Sequence, residues 1–138
     1  MNLSNLFDPI NNNRLFGYDD NFNLFKDLIL KEKLPKVILL SGEKGTGKSS
    51  FVNHFLHYYF DKEHYDEKNK VFNKDSSFHN QYKNYLFPNT FYLRGINVKN
   101  IKIEEIRNLK NNLLKTPIIS DKRFIIFDDV PRFGEFAL

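Results

Sequence analysis

The chain has 138 residues, a formal net charge of +4 and a pI near 9.2, and 41% of its residues are hydrophobic, as in one modest globular domain. It contains no cysteine, which excludes disulfides and thiolate zinc sites and predicts a reducing, cytoplasmic location. No apolar run approaches the roughly 20 residues of a membrane helix, so no membrane partner is expected.

The first part of the chain predicts a helix, a strand and a second helix. Residues 1–14 lack hydrophobic periodicity and are predicted to be an extended arm. Apolar residues at helical spacing then predict a helix over about residues 20–31. The branched, continuous apolar run 36–41 predicts a strand buried on both faces. Helical periodicity returns over residues 48–60, so a glycine-rich turn lies between a strand and a helix.

The second part continues the alternation after a charged, tyrosine-rich stretch. Residues 61–89 are predicted to be an excursion with a short helix near residues 76–85. A strand, a helix and a strand are predicted after it, over residues 90–94, about 103–114, and 123–127. Alternating strands and helices predict an α/β protein with a parallel sheet flanked by helices, whose core spans residues 15–130 before an irregular tail, 131–138.

Residues 42–49 match the phosphate-binding pattern G-x-x-x-x-G-K-[ST] at every fixed position. Glycines let the backbone curl so that N–H groups and the helix N-terminus face an anion. Lys48 is predicted to contact the β and γ phosphates of ATP, and Ser49 to ligate Mg²⁺. The predicted nucleotide-binding residues are Gly42, Glu43, Lys44, Gly45, Thr46, Gly47, Lys48, Ser49 and Ser50.

Two adjacent carboxylates follow the last predicted strand. Asp128 is predicted to be the second Mg²⁺ ligand, because a carboxylate at a strand end can orient the ion and its water. Asp129 stands where many related ATPases have a glutamate that polarises the attacking water. Its side chain is shorter, so ATP hydrolysis is left open. The predicted catalytic set is Lys48, Asp128 and Asp129.

Histidines and aromatic residues are abundant after the glycine-rich turn. His54 and His57 lie three apart on the predicted helix, but no third residue has convincing metal-ligand spacing. The pair is therefore interpreted as a solvated or half-buried helix face, and no zinc site is predicted. Aromatic residues between Tyr58 and Tyr92 alternate with lysines and could stack on bases, although side chains that are simply packed or exposed are the preferred interpretation.

The ordered series of motifs resembles the amino-terminal part of a bacterial clamp-loader ATPase, specifically the delta prime subunit of DNA polymerase III. Beside the phosphate-binding loop, the matching segments are Leu15-Phe16-Gly17-Tyr18, Leu34-Pro35, Phe87-Pro88-Asn89, the helix with Thr116-Pro117 after it, and the Walker B strand ending at Asp128. The resemblance implies a P-loop NTPase of AAA+ type that uses ATP and Mg²⁺, with adenine near residues 15–18. It implies other clamp-loader subunits as partners and, through them, the sliding clamp and primed DNA.

The resemblance stops after Asp129, and residues 131–138 do not match the helix that continues the family pattern. The chain is accordingly interpreted as a fragment, truncated or frameshifted after the Walker B strand. In the AAA+ sheet order 5-1-4-3-2, strand four separates the phosphate-loop strand from the Walker B strand. A gap in the sheet would leave buried backbone groups unpaired, at about 1–3 kcal/mol each. Low independent stability, or pairing with another chain, is therefore expected.

The leading hypothesis is an ATP-binding clamp-loader subunit that helps to load the sliding clamp on DNA during replication. The main alternative is a small stand-alone P-loop ATPase or kinase, in which the two motif-bearing strands can be direct neighbours. A third hypothesis is a gene fragment that neither folds nor binds nucleotide.

Overall fold

The computed structural model describes residues 8–94, 107, 108, 111 and 122–128. These residues belong to two compact units, Met1–Asn80 and Gln81–Leu138. The predicted helix over residues 103–114 lies mostly outside the described residues, although Arg107, Asn108 and Asn111 are helical. Asp129 and the predicted tail also lie outside them.

Two helices pack together in the core of the first unit. Helix α1 spans Asp19–Leu30 and helix α2 spans Lys48–Phe60, which confirms both predicted helices to within one residue at each end. Phe22 of α1 is 3% exposed, and its ring makes edge contacts with Phe51 and Tyr58 of α2. Burial of these large rings is the main stabilising term that joins the two helices.

A short β-hairpin packs on the same core and was not predicted. Strands β1, Tyr65–Asp66, and β2, Val71–Phe72, pair antiparallel. Residues 13–15 run beside β2: Arg14 forms a bridge to Val71, and the Leu15 amide donates to the Lys70 carbonyl at 2.9 Å. A 3₁₀ helix, Pro9–Asn11, precedes them. Residues 8–14, the part of the predicted arm that the structure describes, therefore contain regular structure.

Helix α3 spans Ser77–Lys83 and confirms the short helix predicted in the excursion.

The buried apolar cluster of the first unit consists of six residues from its helices, hairpin and bridging segment: Leu15, Phe22, Phe51, Tyr58, Tyr65 and Phe72. The excursion thus supplies part of the core.

The predicted strand over residues 36–41 is wrong. The structure assigns no strand there, and Val37 is 87% exposed and Leu39 80% exposed. A strand needs a partner for its N–H and C=O groups, and no described strand pairs with this segment. Leu40 alone of the central apolar run packs against the core.

The second unit contains two parallel strands. Strand β3, Thr90–Arg94, pairs with β4, Phe124–Asp128, in a register that places Thr90 beside Phe124 and Arg94 beside Asp128. This confirms the predicted α/β class with a parallel sheet. Strand β4 is only partly buried in the described residues, because Ile125 is 47% exposed and Phe127 40% exposed. No helix in the described part of the chain is long and apolar enough to cross a bilayer.

Candidate nucleotide-binding site

The glycine-rich loop leads directly into α2. Gly45, with φ of +82°, and Gly47, with φ of +91°, have left-handed backbone conformations that a side chain would strain. Gly47 is the N-cap residue of α2, and it has no side chain to accept hydrogen bonds from the first N–H groups of the helix. The positive end of the helix is therefore left to another acceptor, as an anion site requires.

The loop curls around the ammonium of Lys48. The Lys48 Nζ donates to the main-chain carbonyls of Gly42 and Glu43, each at 2.8 Å. The Thr46 hydroxyl donates to the same Glu43 carbonyl at 2.9 Å. A charged phosphate oxygen is a stronger acceptor for an ammonium than a neutral carbonyl. Phosphate could therefore replace these carbonyls as the partner of Lys48, and the donor set suits a polyanion.

The other predicted loop residues differ in exposure. Residues 42–46, which include Lys44, are exposed, and Ser49 is half-buried at the start of α2. Ser50 is only 9% exposed and lies on the packed side of the helix. Ser49 is thus more accessible to a ligand than its neighbour.

Tyr18 also contacts the loop, a contact that the loop motif does not predict. Its hydroxyl donates to the Thr46 carbonyl. Its ring packs against Phe51, with centroids 5.5 Å apart. The only signal in the sequence was the position of Tyr18 in the segment resembling the family box, which indicated adenine and not the loop.

Asp128 lies at the carboxyl end of β4, in the second unit. The Tyr92 hydroxyl donates to its Oδ2 at 2.8 Å. Tyr92 stands opposite Ile126 in the parallel register, two positions before Asp128. Alternation along the strands places Tyr92 and Asp128 on the same face, which explains how a long tyrosine side chain reaches the carboxylate. One carboxylate oxygen is therefore oriented by a strand neighbour.

The interpretation of His54 and His57 as a solvated or half-buried face is wrong, because both side chains are fully buried. His54 Nε2 lies 2.9 Å from the Asn12 carbonyl and its Nδ1 lies 3.0 Å from the Tyr65 hydroxyl. A carbonyl can only accept, so Nε2 carries the proton and Nδ1 accepts from Tyr65. Burial lowers the pKa of His54 to about 4, although the bond to Asn12 opposes this shift.

His57 belongs to a buried stack of rings. Its Nδ1 lies 2.6 Å from the Asn53 carbonyl and must donate, so its Nε2 accepts from His79 Nδ1 at 2.9 Å. The His57 ring stacks on Phe72 with centroids 3.9 Å apart. Burial lowers the pKa of His57 to about 3. The two neutral histidines are thus hydrogen-bonded core residues.

Most aromatic residues between Tyr58 and Tyr92 pack in the fold, although Tyr85 is 58% exposed. Those that are less than a tenth exposed include Tyr58, Tyr65, Phe72, Phe78 and Tyr82. Within the described residues, no group of three or more His, Cys, Asp or Glu side chains could hold a metal ion.

Comparison with known proteins gives one family match. A family model described as "DNA polymerase III, delta subunit" matches residues 17–137. Among curated proteins and among solved structures, no significant match to the chain was found. The match covers most of the chain, including the phosphate-binding loop and both strands of the second unit. It extends to residue 137, so the expectation that the family resemblance stops after Asp129 is wrong. The chain therefore belongs to this DNA polymerase III family, and its resemblance to the amino-terminal region of delta-prime-type clamp-loader subunits is confirmed.

Proposed function

We propose that this protein is an ATP-binding subunit of the delta prime type in the clamp loader of DNA polymerase III. In this role it would help to place the sliding clamp on primed DNA during replication, in the cytoplasm. The observation that carries the proposal is the loop at residues 42–49, which closes around the Lys48 ammonium at a helix N-terminus whose cap residue, Gly47, has no side chain. Membership in a clamp-loader family favours this function over a stand-alone kinase.

The phosphates are the part of ATP for which the loop is suited. Successive N–H groups and the positive end of α2 supply donors that do not need to be charged. Lys48 adds one charged donor on a mobile side chain. Residues 42–46 are exposed and therefore accessible to a ligand as large as a triphosphate. Several neutral N–H donors together with one charged donor support binding of ATP rather than of a single small anion.

The metal and catalytic roles extend the same proposal. Ser49 would ligate Mg²⁺ through its hydroxyl, and Asp128 would supply a carboxylate to the ion, as their motif positions indicate. Bound Mg²⁺ would neutralise phosphate charge. Asp129 would orient water if the subunit hydrolyses ATP. The family's subunits act in a complex, so we propose other clamp-loader subunits as the direct partners of this chain.

Calorimetric titration with MgATP tests the proposal. The unmodified chain is expected to bind, and Lys48→Ala is expected to lower the affinity about 10-fold to 100-fold, because a charge-assisted hydrogen bond is lost. Lys74→Ala is the matched control, since Lys74 is an exposed lysine outside the loop. It should bind MgATP as the unmodified chain does.

Two results would contradict the proposal. The first is an unmodified chain that is folded by circular dichroism and does not bind MgATP at millimolar concentration. The second is equal affinity in the unmodified chain and Lys48→Ala, because binding would then occur outside the loop.

A further inference from the structure

Tyr18 connects the start of α1 to the phosphate-binding loop. Besides its hydrogen bond to the Thr46 carbonyl, its ring lies against Gly47, where an added Cβ would be 3.5 Å from Tyr18 Cε2. The contact with Phe51 continues this packing into the first turn of α2. One side chain from outside the loop therefore touches both the Thr46–Gly47 peptide and the first turn of α2.

The hydrogen bond from Tyr18 fixes the orientation of one peptide group. A trans peptide is planar, and its C=O and N–H point in opposite directions. When Tyr18 holds the Thr46 carbonyl, the N–H of Gly47 must point away from Tyr18. In a phosphate-binding loop the N–H groups are the donors that hold the anion. The tyrosine hydroxyl thus determines where one of these donors points.

Tyr18 is itself held in an uncommon backbone conformation. Its φ is +60°, in the left-handed region that bulky residues rarely adopt. Lys70, in the hairpin, donates to the carbonyl of Gly17 at 2.6 Å and also pairs with Asp19. A strained backbone persists only where its surroundings hold it. The hairpin therefore fixes the turn from which Tyr18 reaches the loop.

We propose that Tyr18 is a positioning residue whose hydroxyl orients the Thr46–Gly47 peptide for binding of a polyphosphate. This role rests on the proposed nucleotide-binding function and adds to it a side chain outside the loop motif. The hydroxyl acts on the phosphate part of the ligand. Its effect should consequently be the same whether or not the ligand carries a base.

The first test compares two ligands, MgATP and magnesium tripolyphosphate, by calorimetry. Tyr18→Phe keeps the ring contacts and removes only the hydroxyl. We expect the affinity of this variant for both ligands to fall by about threefold to tenfold, the effect of losing one ordering hydrogen bond. Tyr85→Phe is the control, because Tyr85 is 58% exposed and lies outside the loop, and its affinities should not change.

Either of two calorimetric results would overturn the role of Tyr18. Unchanged affinity for both ligands would show that the hydroxyl does not position the loop for phosphate. A loss for MgATP with no loss for tripolyphosphate would show that the hydroxyl serves the nucleoside part of the ligand instead.

A second measurement needs no ligand and separates this proposal from the proposed function. The sequence contains a single Thr-Gly pair, Thr46-Gly47, so labelling threonine with ¹³C at the carbonyl and glycine with ¹⁵N gives one correlated NMR signal from that peptide. We expect the signal to move in Tyr18→Phe and to stay in place in Tyr85→Phe. If the unmodified chain binds neither ligand but the signal moves, the nucleotide-binding function fails while Tyr18 still orients the peptide. An unmoved signal overturns the role of Tyr18 whatever the chain binds.

Discussion

Asn89 is a buried polar residue that joins the entry points of the two parallel strands. It is 0% exposed, its side-chain Nδ2 donates to the Lys122 carbonyl at 3.0 Å, and its own carbonyl accepts from the Phe124 amide at 2.9 Å. Phe124 is the first residue of β4, and Lys122 lies two positions before it. Asn89 therefore ties the chain before β3 to the chain before β4. Its side chain also supplies a hydrogen-bond donor to the Lys122 carbonyl.

Replacement of Asn89 by alanine is expected to lower the free energy of unfolding by about 1–3 kcal/mol, because the hydrogen bond to the Lys122 carbonyl is lost and a small void forms. Urea denaturation of the full chain measures the change. Asn108→Ala is the control, since Asn108 is exposed on a helix. Equal stability in the two variants would mean that the Asn89 side chain does not support the strand pair.

Sequence patterns predicted the chemistry of single residues better than they predicted which residues those side chains contact. The pattern around Lys48 could be interpreted because the spacing of the loop motif is fixed by the shape of the phosphates it binds. The partners of Tyr18 and His57 come from segments that are distant in sequence, such as Thr46 and His79. A single sequence carries no measure of that proximity, so the bond to the loop and the histidine pair could not be predicted.

Residues 36–41 form the segment in which sequence and structure differ most. Its apolar, branched residues are typical of a central strand, yet strand formation depends on a partner that sequence composition does not supply. Helices α1 and α2 satisfy their hydrogen bonds internally, so their periodicity was sufficient to predict them. The two-residue strands of the hairpin are too short to show any alternation, which explains why that element was missed.

Leu39→Lys tests whether this segment is exposed in solution. Since Leu39 is 80% exposed, the substitution is expected to change the free energy of unfolding by less than about 0.5 kcal/mol. It should also reduce concentration-dependent association, because it adds a charge to an exposed apolar run. Urea denaturation and light scattering measure the two effects.

Leu56→Ala provides the comparison for a buried leucine. Leu56 is 1% exposed on α2, and its truncation is expected to cost about 2–5 kcal/mol. If Leu39→Lys proves as destabilising as Leu56→Ala, residues 36–41 are buried in solution, as the sequence pattern predicted. That result would contradict the exposure of Leu39 in the structure.

At the scale of the whole molecule, the neutral histidines make stability depend on pH. His54 and His57 are fully buried in the first unit, where each donates one hydrogen bond to a main-chain carbonyl and accepts another. Burial lowers their pKa values to about 4 and about 3, well below the ordinary value of 6.5. The unfolded chain would release both side chains to water and bind protons at the ordinary pKa.

The sign of the effect follows from proton binding. Between about pH 6.5 and pH 4 the unfolded state holds more protons than the folded state, so the free energy of unfolding falls as the pH falls. The contribution of these histidines is complete above pH 6.5. Below it, each is expected to remove up to about 1.4 kcal/mol per pH unit. His64 behaves oppositely, because its hydrogen bond to Asp61 raises its pKa and its stabilising effect is lost as the pH rises.

Urea denaturation at pH 7.5, 6.0 and 5.0 measures this dependence in the full chain and in His57→Gln. Glutamine can still accept a hydrogen bond from His79 but does not bind a proton, so the slope between pH 6 and 5 should decrease by about half. His64→Gln, which removes an exposed histidine, should lose as much unfolding free energy between pH 6 and pH 5 as the unmodified chain does. If His57→Gln loses stability on acidification as steeply as the unmodified chain, His57 is not a buried neutral group. The acid sensitivity would then come from other residues, because the core built by α2 and the hairpin would not force this ring to remain unprotonated.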